Sequence, residues 1–284
     1  MKTPKRLQPL IEDGLIDGVI GQLMSGKEAT VYAVRCGSEI RCAKVYKEAA
    51  KRSFKKATQY QEGRKVRNSR RARAMEKNSK YGRKQQEETW QNAEVDALYL
   101  LANAGVRVPK PYGCFDGVLL MELVTDDSGD VAPRLGDVAM SAEQALEDHA
   151  LMMDYVVLML CAGIVHGDLS EFNVLVDDYG PVIIDLPQAV DASANNHAES
   201  MLYRDVDNMA HYYGQFAPEL LNSQYGKEIW ALYEDGALKP GIELSGNFAE
   251  SEEASDVDGV LEEIKAVLME EQKRQERLAE DNEQ

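Results

Sequence analysis

Three polar side chains lie along the chain at a spacing that suits phosphate chemistry. Asp168 follows His166 by two residues, Asn173 comes five residues after Asp168, and Asp185 stands twelve residues further on, after a short apolar run. A carboxylate such as Asp168 can orient or deprotonate an attacking hydroxyl group. A carboxylate and an amide oxygen, as at Asp185 and Asn173, can hold a divalent metal ion on phosphate groups. The spacing therefore predicts a site for metal-assisted phosphoryl transfer, with Asp168 as its catalytic residue.

Two short strands and a turn are predicted to position these side chains. Apolar runs at 174–176 and 182–184 flank a turn-forming cluster at 177–181. Such a hairpin brings Asn173 and Asp185 close together, as a shared metal ion requires. A surface hairpin that happens to carry acidic residues is the alternative. The complete set at this spacing favours the signature of kinase-like phosphotransferases.

A glycine-rich segment near the N-terminus is the predicted phosphate-binding element. Residues 21–28 (GQLMSGKE) nearly match a P-loop, but Glu28 replaces the magnesium-binding hydroxyl, and a strand rather than a helix follows. A hairpin laid over nucleotide phosphates fits better. In that hairpin Gly26 lets the backbone approach closely, and Ser25 and Lys27 can donate hydrogen bonds to phosphate. Two glycines in an ordinary turn are the alternative.

Lys44 is the predicted lysine for the α- and β-phosphates. It alternates with Ala43 and Val45 on a β-rich run at 40–46, as in the V-A-I-K strand of kinases. Such a lysine needs a carboxylate partner from the following helix. The best candidate is Glu94, and the alternatives are Glu87 and Glu88.

A hinge between two lobes is predicted at Met121, Glu122 and Leu123. They follow a buried apolar strand within 117–124 and precede a polar loop at 125–137. Backbone groups of Glu122 and Leu123 can pair with adenine, while Met121 forms a wall of the nucleotide pocket.

Helices are predicted from Glu87 to about residue 102, from Ser141 to about Ala162, and over 198–213 and 217–233. Ser141 is the expected N-cap of the second, with Gln144 three residues later as in a capping box.

Charge is distributed unevenly along the chain. The net charge is −17, yet residues 47–84 hold 15 Lys/Arg against 3 Glu, and the C-terminal residues 247–284 hold 13 Asp/Glu against 4 Lys/Arg. A basic segment of this kind suits nucleic-acid phosphates, although it lacks regularly spaced aromatic residues for base stacking. A solvated loop is the alternative.

A cytoplasmic location without membrane contact is the expectation. The N-terminal residues lead into no apolar signal region, and the apolar stretch at 151–165 is too short and too charged to span a bilayer. The four cysteines form no metal-binding or disulfide pattern.

Several motifs together resemble those of the RIO atypical protein kinases. Residues 25–32 (SGKEATVY) are similar to the family's S-T-G-K-E-A-x-V-Y loop, residues 166–173 (HGDLSEFN) to its H-x-D-L-S-E-x-N loop, and residues 183–190 (IIDLPQAV) to its I-I-D-x-x-Q loop. Trp90 and Glu94 have the spacing of its W-x-x-x-E helix. The resemblance spans roughly residues 7–235. It is closest to the first RIO type, which carries a flexible loop where this chain has its basic segment.

The resemblance implies an α+β, two-lobed protein-kinase-like fold without a conventional activation segment. The kinase domain is expected at 1–240, with a small β-rich N-lobe over about 15–122 and a mostly helical C-lobe over about 123–240. An acidic, partly helical tail is expected at 245–284.

The resemblance also implies an activity and roles for particular residues. ATP and Mg²⁺ (or Mn²⁺) are the expected cofactors, with Asn173 and Asp185 as metal ligands and Lys44 paired with Glu94. Family members phosphorylate serine or threonine on themselves or on partners, hydrolyse ATP in maturation of the small ribosomal subunit, and can form a phospho-aspartate at the position of Asp185.

Four positions depart from the expected patterns. Ser170 stands where ordinary protein kinases have a lysine, Leu186-Pro187 replaces the Phe-Gly of their D-F-G motif, and Gly167 stands where the RIO family often has alanine.

Three functions remain open from the sequence. The first is a serine/threonine protein kinase. The second is an ATPase switch that binds ribosomal RNA or a pre-ribosomal particle through residues 47–84. The third is a small-molecule kinase of the aminoglycoside phosphotransferase type, which the SGKE and SEFN motifs disfavour.

Overall fold

The computed structural model describes residues 3–26, 29–47 and 93–248. Lys27, Trp90, the basic segment beyond Lys47 and the acidic tail from residue 249 lie outside these ranges. One compact unit of the chain ends at Gly246. The domain limits expected from the sequence remain predictions.

An antiparallel five-stranded sheet forms the N-terminal layer. Its strand order is β1-β2-β3-β5-β4, so β3 is central and β1 and β4 are the edges. The short helix α1 precedes the sheet, and the helical residues 93–103, named α2, come between β3 and β4 in sequence. The bounds are α1 Gln8–Glu12, β1 Gly18–Ser25, β2 Ala29–Cys36, β3 Glu39–Tyr46, β4 Pro111–Phe115 and β5 Val118–Glu122.

The two faces of this sheet are buried against different partners. On β3, Ala43 and Val45 join Leu7 and Leu10 in a cluster on the face covered by α1, which we call the outer face. Because successive side chains on a strand point to opposite faces, Lys44 and its neighbour Tyr46 share the other face, the inner face. Tyr46 packs there in the main core. The alternation of β3 thus turns its polar residue away from α1 and toward the rest of the protein.

The C-terminal layer is helical, with short strand pairs inserted between the helices. Two antiparallel pairs, β6 with β9 and β7 with β8, flank the residues predicted to do chemistry. The bounds are α3 Ala142–Cys161, β6 Ile164–Val165, β7 Val174–Asp177, β8 Gly180–Ile183, β9 Val190–Asp191, α4 Ala198–Tyr213 and α5 Tyr225–Glu234.

Helix α3 begins where the sequence predicted. The Ser141 hydroxyl accepts a hydrogen bond from the Gln144 backbone N–H at 3.1 Å, which satisfies one of the free donors at the helix N-terminus. Its buried side chains include Met152, Val156 and Leu160, so the helix forms the centre of the C-terminal core. No helix in the described ranges is long and apolar enough to span a bilayer.

The single helix predicted at 217–233 is wrong. A 3₁₀ turn at Pro218–Asn222 is separated from α5 by Ser223 and Gln224, and the backbone of Ser223 is extended. The Ser223 hydroxyl donates to the Leu220 carbonyl at 2.7 Å, so this side chain competes with the backbone bonding that a continuous helix needs.

Strand β4 was also missed. It begins at Pro111, a residue type that disfavours the interior of a strand. β4 lies at the edge of the sheet, where a proline at the first position costs no ladder hydrogen bond.

Candidate active site

Strand β3 and helix α2 bring three polar side chains together beneath the inner face. Lys44 Nζ lies 2.5 Å from Glu94 Oε1, and the Tyr46 hydroxyl donates to Glu94 Oε2 at 2.5 Å. Glu94 is only 2% exposed. Both of its oxygens therefore have a partner, and the carboxylate is fixed from two sides by residues on one strand. Of the three predicted helix partners of Lys44, Glu94 is described and pairs with it, while Glu87 and Glu88 lie outside the described residues.

Lys44 also connects the sheet to the residue that follows β8. Its Nζ lies 2.6 Å from Asp185 Oδ1. Burial disfavours the charge of Lys44, but the carboxylates of Asp185 and Glu94 outweigh this effect and raise its pKa. Burial likewise disfavours the Asp185 carboxylate, yet Lys44 holds the pKa of that group below its usual range. The two side chains thus keep each other charged.

Asp185 adopts an unusual backbone conformation. Its φ is +67°, a left-handed value that non-glycine residues rarely adopt. The side chain remains 47% exposed although it is paired with Lys44. Strained, accessible polar residues of this kind are typical of functional sites.

The loop at 166–173 places Asp168 and Asn173 as a connected pair. Asn173 Nδ2 donates to the Asp168 backbone carbonyl at 2.8 Å, and Gln188 Nε2 donates to Asp168 Oδ2 at 3.2 Å. The Ile184 backbone N–H donates to the Asn173 carbonyl at 2.9 Å, which ties this loop to the segment that ends at Asp185. Burial raises the pKa of Asp168. The structure therefore brings the three predicted chemical residues to one place.

His166 is a buried structural member of the loop. Its Nδ1 accepts from the Asp168 backbone N–H at 3.3 Å, and its Nε2 lies 3.2 Å from the Ile184 carbonyl oxygen. These contacts fit a neutral ring with the proton on Nε2, and burial lowers the pKa of His166. The imidazole holds the loop against the strand before Asp185.

Helix α4 fixes the backbone of the loop at 166–173 through hydrogen bonds. Asp205 Oδ2 accepts from the Gly167 N–H at 2.7 Å, and its Oδ1 accepts from the Leu169 N–H at 2.9 Å. Asn208 donates to the Leu169 carbonyl at 2.8 Å, and Arg204 donates to the Gly167 carbonyl. Three residues of one helix therefore hydrogen-bond the backbone on both sides of Asp168.

Gly167 has a backbone conformation that favours glycine. Its φ is +82°, in the left-handed region that costs an L-residue roughly 1–2 kcal/mol. The alanine that resembling sequences often carry is therefore a strained substitution in this loop.

The protein side chains can supply only part of the coordination of a divalent metal ion. Within the described ranges, no three His, Cys, Asp or Glu side chains cluster closely enough to bind a metal by themselves. Asn173 uses its amide nitrogen on Asp168, which leaves its amide oxygen as an acceptor, and Asp185 keeps one oxygen beyond its contact with Lys44. One carboxylate and one amide match Mg²⁺, which commonly takes its other ligands from phosphate oxygens and water.

The hairpin formed by β1 and β2 is the element predicted to cover phosphates. Ser25 Oγ lies 3.4 Å from the Thr30 hydroxyl, and Lys47 Nζ donates to Ser25 Oγ at 3.2 Å. Gly26 donates its N–H to the Ala29 carbonyl at 2.9 Å, and its own carbonyl accepts from Lys47. Their phosphate-binding role remains a prediction.

The predicted hinge is tied firmly to the C-terminal layer. Arg107 donates to both oxygens of Glu122 at 3.1 Å and to Asp177 Oδ2 at 2.9 Å, so it bridges β5 and the β7–β8 hairpin. The Glu122 N–H donates to the Lys110 carbonyl at 2.8 Å. This N–H is therefore already hydrogen-bonded. If Glu122 pairs with adenine, it must do so through its backbone carbonyl oxygen. Leu123 is half-buried.

Met121 packs partly buried against the main core, on the inner face of the sheet. This is the side of the sheet that carries Lys44, as a wall of a nucleotide pocket requires. Its role in binding remains a prediction.

Several residues of the site were missed in the sequence. Tyr46 had a usable signal, because it stands two residues after Lys44 on a strand and must share its face. Asp205 had another, since it occupies a core position of α4 among Met201, Leu202, Val206 and Met209. Gln188 had a signal as the glutamine of the I-I-D-x-x-Q motif, whereas Arg204 had none.

Replacing Tyr46 with phenylalanine tests the fixation of Glu94. The change leaves one buried carboxylate oxygen without its hydroxyl donor, which should lower the free energy of unfolding by about 1–3 kcal/mol. Nucleotide affinity should fall with it, because Lys44 depends on Glu94 for its position. Urea denaturation and nucleotide titration measure the two effects. Tyr32→Phe is the matched control, since Tyr32 packs on the outer face; equal effects of the two variants would contradict the role of Tyr46.

Comparison with known proteins relates this geometry to one family. The sequence profile of the RIO domain matches residues 30–225. The RIO-type serine/threonine-protein kinase Rio1 of Haloferax volcanii is 35% identical over 207 residues, which cover 72% of this chain and 66% of that protein. The human serine/threonine-protein kinase RIO1 is 30% identical over 214 residues, covering 75% of this chain and 36% of the human protein. The match thus spans about two thirds or less of these relatives.

Solved structures agree in fold. The crystal structure of the Rio2 kinase-ADP/Mg²⁺-phosphoaspartate complex from Chaetomium thermophilum superposes with a TM-score of 0.57 at 20% identity, covering 92% of this chain and 75% of that one. A second structure of the Rio2 kinase from the same organism gives a TM-score of 0.58 at 19% identity. These likenesses confirm the two-lobed kinase-like fold expected from the sequence.

Proposed function

Because the chain belongs to the RIO family of kinases, we propose that it is an ATP- and magnesium-dependent serine/threonine protein kinase. It transfers the γ-phosphate of ATP to a hydroxyl group on itself or on a protein partner. The observation that carries this proposal is the joined set of Lys44, Glu94 and Asp185 beside the loop that holds Asp168 and Asn173.

Asp168 is the proposed catalytic residue. One of its oxygens, Oδ2, accepts from Gln188, and the carboxylate sits on a loop whose backbone is fixed by His166 and Asp205. The carboxylate orients the acceptor hydroxyl and takes its proton as the new oxygen–phosphorus bond forms. The bond from the γ-phosphorus to the bridging oxygen breaks, and ADP leaves with that oxygen.

Lys44 is the proposed anchor for the α- and β-phosphates. Its ammonium group stays charged because the carboxylates of Glu94 and Asp185 are paired with it, and Glu94 is in turn fixed by Tyr46. A preorganised cation of this kind stabilises charge on phosphate without reorganising during the reaction.

Asn173 and Asp185 are the proposed metal ligands. A bound Mg²⁺ supplies positive charge to the phosphate oxygens. The protein's part is to present one amide oxygen and one carboxylate from two segments that are hydrogen-bonded at Ile184 and Asn173. Ser25, Gly26 and Lys27 complete the proposed nucleotide site over the phosphates, with Met121, Glu122 and Leu123 at the adenine end.

The ATPase switch and its ribosomal partner remain the second hypothesis from the sequence. Its main support is the basic segment 47–84, nearly all of which lies outside the described residues. The names of the relatives favour the protein kinase, and the small-molecule kinase is set aside with the family assignment.

Incubation of the full chain with γ-labelled ATP and Mg²⁺ tests the proposed activity. We expect label on serine or threonine of the chain itself or of an added protein substrate, in a form stable to acid. Label that appears only as free phosphate, rising with added ribosomal subunits, would favour the ATPase switch. Acid-labile label on the chain would indicate a phospho-aspartate.

A further inference from the structure

Arg134 lies in the loop before α3, and its backbone is anchored beside β7. It forms an isolated antiparallel bridge with Leu175, and the Val176 N–H donates to the carbonyl of the preceding Pro133 at 2.9 Å. The Asp137 N–H donates to the Arg134 carbonyl at 2.9 Å. Its main chain is thus fixed next to the strand that begins directly after Asn173.

The side chain of Arg134 reaches from this position to the opposite layer. Its Nη2 lies 2.9 Å from the thioether sulfur of Met24, near the end of β1. In the sheet register Met24 is opposite Val31, and Val31 is opposite Lys44. Directly opposed residues of neighbouring strands share a face. The guanidinium therefore contacts the inner face of the sheet, two strands away from Lys44.

The separation of the two cations suits a chain of phosphate groups. Neighbouring strands are about 4.8 Å apart, so Met24 and Lys44 are roughly 10 Å apart along this row. Val31 lies between them. The inner face along this row therefore has a lysine at one end, an apolar residue in the middle and an arginine at the other end.

The guanidinium has little else to bind in the described part of the chain. The contact recorded for its donors there is the Met24 sulfur, a weak acceptor, and no described carboxylate forms an ion pair with it. The donors of the guanidinium are therefore available to a ligand beside the inner face.

We propose that Arg134 binds the phosphate groups of the nucleotide, as a second cation facing Lys44 across the inner face of the sheet. Guanidinium donors match phosphate oxygens in geometry and charge better than they match a thioether. On nucleotide binding, the donors that now face Met24 turn to phosphate, and the β1–β2 hairpin stays linked to β7 through the ligand. The inference rests on the proposed function, because it assumes that ATP occupies this space.

Binding of a ligand series to the full-length Arg134→Gln variant tests the inference. Calorimetric titration with ATP, ADP, AMP and adenosine, each with Mg²⁺, separates contacts to phosphate from contacts to the nucleoside. We expect ATP affinity to fall by about 10- to 100-fold, the range typical of a lost hydrogen bond to a charged group. Adenosine affinity should change less than about twofold, because adenosine has no phosphate group for the guanidinium to bind. Arg134→Lys should recover part of the loss.

Two control variants make the outcome decisive. Arg35→Gln removes the same charge from an exposed position on β2 and should leave ATP affinity unchanged. Met24→Leu removes the thioether but no charge. If this variant shows the same loss of ATP affinity as Arg134→Gln, the contact between Arg134 and Met24, rather than a contact with phosphate, supports binding, and the inference is wrong. An equal loss for adenosine and ATP, or no loss at all, also overturns it. Failure of the parent protein to bind ATP would contradict the proposed function itself, and this inference with it.

Discussion

Replacing Asp168 with asparagine is expected to lower phosphate transfer by about 10²- to 10⁴-fold, the usual contribution of a general base. Asparagine has the same size, so the loop and its backbone hydrogen bonds should persist. Lys44, Glu94 and Asp185 are untouched, and ATP affinity should therefore change little. A transfer assay with labelled ATP and a separate binding titration measure the two quantities.

The effect must come from the loss of the Asp168 carboxylate as a base rather than from a change in net charge. Asp154→Asn is the matched control, because Asp154 is exposed on α3 and lies outside the proposed site. Its activity should equal that of the parent. If Asp168→Asn retains parental turnover, Asp168 is not the catalytic residue. If it loses ATP binding to the same extent as activity, the residue acts in binding instead.

Asp205→Asn is expected to reduce turnover by about 10- to 100-fold, although Asp205 reaches no substrate. Its two oxygens accept the Gly167 and Leu169 N–H groups at 2.7 and 2.9 Å. An asparagine can accept only one of them, because its amide nitrogen is a donor and faces the other N–H. The loop around Asp168 then shifts, and a misplacement of about 1 Å can cost about 10²-fold in rate. ATP affinity should remain near that of the parent.

The same substitution has a pH signature in stability. Burial raises the pKa of Asp205 from 3.8 to about 7. Between these values the folded protein holds a proton that the unfolded chain has released, so the contribution of Asp205 to stability falls as pH rises. The fall begins near pH 4 and is complete somewhat above pH 7. At about 1.4 kcal/mol for each pKa unit, it amounts to at most roughly 4 kcal/mol.

Asparagine does not titrate, so the variant should lack this dependence. Urea denaturation of the parent and the variant at several pH values between 4 and 8 should show a difference in unfolding free energy that changes with pH. A constant difference across this range would contradict the raised pKa of Asp205. Asp207→Asn, at an exposed position of the same helix, is the matched control for the substitution itself.

Local patterns in the sequence predicted much of the fold. Two short apolar runs around a turn-forming cluster predicted the β7–β8 hairpin, and the capping box predicted the start of α3 at Ser141. These features depend on contacts between residues near each other in the chain. The helix predicted at 217–233 was wrong. The pattern of apolar residues favoured a helix there, but the Ser223 hydroxyl hydrogen-bonds the Leu220 carbonyl and competes with helical backbone bonding.

Contacts between distant segments were harder to foresee. The hydrogen bond between Tyr46 and Glu94 spans 48 residues, and that between Asp205 and Gly167 spans 38. The spacing of residues along the chain does not predict which helix packs against which loop. The engaged N–H of Glu122 and the bridge formed by Arg107 depend in the same way on how β4, β5 and β7 meet.

The sequence by itself determined the residue types and the family: a carboxylate at 168, an amide at 173, a carboxylate at 185 and a strand lysine at 44, within RIO-type motifs. Chemistry limits which side chains can hold metal and phosphate, so these short motifs are informative without coordinates. Only the tertiary structure decided what supports them, because burial and partners are set by packing across the whole chain. It buried Glu94 between Lys44 and Tyr46, placed Asp205 under the loop of Asp168, and directed Arg134 toward the strand that ends at Ser25.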